Sequence, residues 1–181
     1  IDWGFTICRQ VFNFQEGIMI NDTLDAVGVV RNNIISVPGV SGMRLSYLFA
    51  WDSLDRPLGD SGNDAKLLGI FGSADTYIST YNFDLAYVFE PGDTTGDQLN
   101  LGLASIQRVG NWSTALRGNL SVAPGADRRG SGDGLLLSGE FSITVPESND
   151  IFYFNPFVSI GQYSQLGSEP ISGGPFGSLG I

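Results

Sequence analysis

The sequence predicts an all-β chain, an antiparallel up-and-down meander that forms a transmembrane β-barrel or part of one. Three observations predict it. Apolar and polar residues alternate with a period of two in segment after segment. Turn clusters rich in Gly, Asp, Asn and Pro punctuate the chain, and helical periodicity is nearly absent. The clearest segment holds Tyr77, Ser79, Tyr81, Phe83, Leu85, Tyr87 and Phe89 on one face and Ile78, Thr80, Asn82, Asp84, Ala86 and Val88 on the other. Strands of soluble domains run about five or six residues. A strand crossing a bilayer needs about 9–11 tilted residues, with aromatic girdles where the apolar band meets the headgroups. The length and composition of this run therefore point to an apolar face that meets lipid.

Taken in order, the first forty residues are the least regular. Trp3, Phe5 and Ile7 share one phase while Phe12 and Phe14 fall in the other, which predicts a β-bulge or strand end near Arg9–Val11. A short strand is expected from Asp25 to Asn33. Met43, Leu45, Tyr47, Phe49 and Trp51 then alternate with Arg44, Ser46, Leu48 and Ala50. Beyond the run at 77–89, Leu99, Leu101 and Leu103 share a face. Trp112, Thr114, Leu116, Gly118, Leu120 and Val122 share the next. Leu135, Leu137, Phe141, Ile143 and Val145 oppose Ser138, Glu140, Ser142 and Thr144, and Phe152, Phe154, Val158 and Ile160 share the last clear face. The gaps are turns or loops such as Gly59–Asp64, Pro91–Asp93 and Gly130–Gly134, and none could hold a crossover helix. The stretch 167–181 is rich in Gly, Ser and Pro and shows no clear strand. The expectation is one β-barrel domain over 1–181 with eight to ten strands, read as a fragment of a larger barrel.

Composition narrows the class. Charged residues are 15% of the 181, against about 25% in soluble domains, and Lys66 is the only lysine. Soluble sheets protect their edges with Lys, a device missing here. The net charge of −10 excludes a nucleic-acid partner, whose phosphates need a basic face. With no histidine, the commonest general base and metal ligand is absent. Cys8 is single, so no intrachain disulfide forms, and it reads as a small strand residue. No apolar run approaches the ~18 residues of a membrane helix. The chain opens with neither an initiator Met nor a signal peptide, as a mature form or an excised piece would.

A soluble β-sandwich also alternates, so other features must separate the two architectures. The polar faces consist of Gly, Ala, Ser, Asn and isolated charges, which suits a crowded or water-filled lumen. Aromatics recur near strand ends: Trp51, Tyr77, Tyr81, Phe89, Trp112 and Tyr163. Long acidic loops at 52–66 and 123–134 contrast with a short one at 108–111, as in outer-membrane barrels. The competing expectation is a secreted or periplasmic sandwich that binds a ligand or carbohydrate.

The passage Arg9-Gln10-Val11-Phe12-Asn13-Phe14-Gln15-Glu16-Gly17, followed by Ile20-Asn21-Asp22 and Leu24-Asp25-Ala26-Val27, resembles a strand–loop–strand passage of Gram-negative outer-membrane porin-like proteins. The similarity is to those related to alginate-export channels, with Cys8 and Ala26 standing where that family has glycines. It covers about twenty residues sharply and implies a channel with more strands than this chain supplies.

On this reading Arg44, Arg117, Asp84 and Glu140 lie on the polar faces and point into a lumen, where charges tune which solutes pass. Arg and carboxylates on neighbouring strands are also placed to pair with each other. Tyr81, Phe83, Leu85, Tyr87, Leu116, Leu120 and Phe141 are the expected lipid-facing residues. The expected function is porin-like passive passage of small or carbohydrate-like solutes across the bacterial outer membrane, with its lipid as partner. No catalysis, cofactor or metal is expected. Asp84 and Glu140 could serve as a glycosidase pair, but no nucleophile motif supports them. Asp93, Asp97, Asp127 and Asp133 sit in turns without calcium-loop spacing. Two sequons, at Asn111 and Asn119, match by composition alone.

Overall fold

Alternation becomes strand pairing along most of the described residues. The computed structural model describes residues 2–14, 20–34, 38–52, 66–90, 93–122, 134–148, 150–161 and 178–180. Eleven strands are found: β1 (Trp3–Phe14), β2 (Ile20–Asn32), β3 (Val40–Asp52), β4 (Lys66–Thr76), β5 (Ser79–Glu90), β6 (Asp93–Val109), β7 (Trp112–Val122), β8 (Gly134–Thr144), β9 (Ile151–Phe154), β10 (Phe157–Gly161) and β11 (Ser178–Gly180). They form a single antiparallel sheet in sequence order, β1 through β8, then β10 and β11, with β9 on β8. The described strands include no second sheet that could pack on it as in a sandwich. Among the described residues the sheet is open: β1 and β11 each pair on one side only.

Up-and-down order sorts the connections by end. The two-residue hairpins at 77–78 and 110–111 lie at one end of the sheet, and the long connections 53–65 and 123–133 at the other. Gly110, with φ of +60°, stands at the first central position of its hairpin, where a type II′ turn needs positive φ.

The sheet is rolled. A flat sheet would hold β1 and β4 about 14 Å apart, three strand spacings. Yet the Phe12 and Phe71 rings meet edge to face with centroids 5.2 Å apart. Leu136 of β8 likewise joins a buried cluster with Leu24, Ala26, Ala50, Leu67, Ala86 and Val88 of β2–β5. Both contacts lie on the same side, which is therefore concave and is called the inner face. Side chains converge there, so Gly28 and Gly69 are needed where Thr6 and Phe71 press on the backbone. The outer face carries most of the bulky apolar residues.

Four expectations change. The β1–β2 ladder runs unbroken from Trp3↔Arg31 to Phe14↔Ile20, so there is no slip near Arg9–Val11. Phe12 is out of phase with Trp3 because it points inward, to Phe71. β2 runs from Ile20 to Asn32 rather than beginning at Asp25, and its irregularity falls at Asp25/Ala26 against β3. The strand carrying Phe152 and Val158 is broken into β9 and β10 at Asn155–Pro156, since proline cannot donate to a ladder. Finally, the tail holds a short strand, β11, paired with β10.

Candidate functional site on the inner face

The two faces have opposite chemistry. On the outer face Phe83 is 40%, Leu116 68% and Leu120 40% exposed, and Tyr81 is exposed beside them. Leu85, Tyr87 and Phe141 share that face and are half-buried against their neighbours. The inner face carries Ser73, Asn82, Asp84, Ala104, Arg117, Asn119, Ser138 and Glu140.

The aromatics mark both ends of the outer face. At the hairpin end, Trp3 lies beneath the Arg31 guanidinium (5.0 Å to the ring centroid) and Trp112 meets Phe141 edge to face at 5.0 Å. At the long-loop end, Tyr87 stacks on Phe89 at 5.5 Å and Phe49 tilts against Trp51 at 6.3 Å. Tyr87 also donates its hydroxyl to Asp97 at 2.6 Å, which accounts for that buried carboxylate. Leucine, isoleucine and valine predominate between these ends, at Val27, Val29, Ile70, Leu85, Leu101, Leu103, Leu116 and Leu120. From Tyr81 to Phe89 is about 26 Å along the strand, or about 20 Å once tilted by ~40°.

The four inner-face candidates are not brought into one cluster. Arg117 of β7 donates from Nη1 to Glu140 Oε2 of β8 at 3.2 Å, with side chains 8% and 29% exposed. This is the neighbour-strand pairing the sequence allows for. Arg44 stands at the hairpin end and donates from Nε to Asn32 Oδ1 at 3.1 Å, in solvent. Asp84 lies on β5, three strands from Glu140, at half burial. Asp127, Asp133, Tyr163 and the side chain of Asp93 lie outside the described residues. Among the described residues no group of three or more His, Cys, Asp or Glu could hold a metal ion.

A second inner-face feature escapes sequence reasoning. Gln98 and Asn100 of β6 and Asn119 and Ser121 of β7 are at most 1% exposed. The Gln98 side-chain N–H group donates to Asn100 Oδ1 at 3.0 Å and to Ser121 Oγ at 2.5 Å. Gln98 Oε1, Asn100 Nδ2 and both polar atoms of Asn119 have no hydrogen-bond partner among the described residues. In register, Val88 pairs Gln98, Ala86 pairs Asn100 and Asn119 pairs Leu136. The amides thus complete a buried belt that is apolar on β1–β5 and β8. Their shared phase is visible in the sequence; their burial depends on the roll of the sheet and is not. Burial also removes Asn119 as a glycosylation acceptor.

No family model, curated protein or solved structure matches this chain. What it does must be argued from its two faces.

Proposed function

We propose that this sheet is the wall of a membrane-spanning β-barrel in the bacterial outer membrane, serving passive, porin-like passage of small or carbohydrate-like solutes. One observation carries the reading: large apolar residues stand exposed along the outer face, while the inner face is mostly small and polar apart from one buried apolar belt. Leaving a large apolar side chain in water forfeits about 1.5–3 kcal/mol. The outer face does so on β1 and on each strand from β3 to β8, at Phe5, Ile7, Tyr47, Leu68, Phe83, Leu103, Leu116 and Leu137 among others. Monomeric soluble proteins rarely expose apolar patches beyond a few hundred Å². Hydrocarbon removes that cost, and antiparallel strands closed into a barrel satisfy their backbone groups within lipid. The aromatic ends, and the sorting of long connections to one side, fit the same setting.

On the inner face, Arg117 with Glu140, Arg44 and Asp84 supply hydrogen bonds and a local field for passing solutes. Purified without detergent, the chain is expected to aggregate; with detergent it is expected to be monodisperse and to insert into lipid vesicles. A stable, monodisperse monomer in plain buffer would refute the proposal. In vesicles that carry the inserted protein, release of an entrapped small sugar tests the passage itself, and retention equal to that of empty vesicles refutes it.

A further inference from the structure

We propose that the buried belt across the inner face is a hydrophobic gate, shut in this arrangement and opened by hydration of its own amides. The inference rests on the channel reading and adds a device to it. A lumen wall that only had to pass polar solutes would carry small and polar residues at every level, as this one does around Ser73, Asn82 and Ser138. Instead Ala26, Ala50, Leu67 and Val88 stand side by side in register on β2–β5. Leu24 joins them from β2, Leu136 from β8, and Phe12 and Phe71 pack on the same cluster. Leu24 and Leu67 are fully buried and Val88 nearly so. Apolar constrictions of this kind stop water and ions by dewetting, without a lid.

The amides make the closure reversible. Packed against the apolar cluster, Gln98 Oε1, Asn100 Nδ2 and the Asn119 side chain are withheld from water with nothing in exchange. A buried polar group left unpaired opposes the arrangement that buries it. Admitting water satisfies these groups and exposes Leu67, Val88 and Leu136, so hydration of one part of the belt offsets dewetting of the other. Two opposed terms at one level of the wall give two states. Nearer the hairpin end, the Arg117–Glu140 pair holds the lumen polar whether the belt is open or shut.

The test is current through the full chain in planar bilayers of diphytanoylphosphatidylcholine in potassium chloride, read as the fraction of time open. Val88→Thr keeps the shape of the side chain and adds a hydroxyl, and Leu67→Asn is nearly isosteric; both are expected to raise the open fraction several-fold. Asn119→Leu and Asn100→Leu remove the unpaired amides and are expected to lower it several-fold. Opposite signs in the two pairs separate gating from simple loosening of the fold. If the wild type conducts and Val88→Thr and Leu67→Asn leave the open fraction unchanged, the gate is wrong and the channel stands. If both pairs shift in the same direction, the gate is again wrong. If wild type and all variants insert, shown by protease protection in vesicles, and none carries current, the channel reading falls and the gate with it.

Discussion

Gly69 has no side chain, and the Phe71 ring from two positions along the same strand occupies the space where a Cβ would stand. That placement turns Phe71 edge-on to Phe12 across the roll of the sheet. Gly69→Val must displace the ring and is expected to cost about 1–3 kcal/mol, as overpacking does. The measurement is the urea midpoint of folding into detergent micelles, with the slope unchanged. At Arg117 the relevant cost is the loss of a charged partner from a buried guanidinium. Glu140→Leu leaves a guanidinium that is 8% exposed without this carboxylate partner and is expected to destabilise by about 1–3 kcal/mol. Arg117→Met with Glu140→Leu recovers most of that loss, because paired apolar replacements remove both desolvation penalties; a double variant no better than the single would contradict it. Arg44→Ala should instead leave folding nearly unchanged, since its bond to Asn32 is solvent-exposed, and shift the reversal potential of any current.

Each strand carries two environments at once, so substitutions on the two faces of the sheet should have opposite outcomes. Leu116→Arg puts a charge on the outer face midway between the aromatic ends, where lipid exposure predicts a loss of about 2–4 kcal/mol of folding stability in vesicles. In a soluble protein the same change at a 68% exposed position would be neutral and would improve solubility. Ser73→Arg, on the inner face of β4, should be tolerated. Equal effects at the two sites would argue that neither face meets lipid. Strand identity and facing were legible in the sequence wherever alternation was pure, as on β3, β5 and β7, because a period of two reads directly as in or out. Phe12 was misread for a physical reason: an inward aromatic looks like a register error until its distant partner, Phe71, and the bare Gly69 beneath it are known. Gln98, Asn100 and Asn119 have the phase of the polar faces, and nothing in the sequence marks them as buried. Only the contact of β8 with β2–β5 reveals that they are sealed.

At the scale of the molecule, antiparallel order and an even sorting of loops make a topological claim independent of side chains. Each strand from β2 to β8 runs opposite to the one before it, so 53–65 and 123–133 leave the same end while the hairpins at 77–78 and 110–111 leave the other. If the sheet crosses a bilayer, those ends lie in different compartments, because no polar connection is stable within hydrocarbon. Protease sites inserted at 53–65 and at 123–133 should therefore be cut together from one side of a uniformly oriented vesicle, and a site at 110–111 should survive until the membrane is breached. The free edge of β1 sharpens the expectation. It offers Trp3–Phe14 with neither lysine nor proline to blunt pairing, and with an unbroken ladder behind it. An edge so unprotected is stable in lipid only when another strand satisfies its backbone. Ile7→Pro, which removes a backbone donor and stiffens β1, should thus reduce insertion more than a substitution of equal polarity such as Ile7→Thr. Equal insertion of the two variants would show that the wall does not depend on closing that edge.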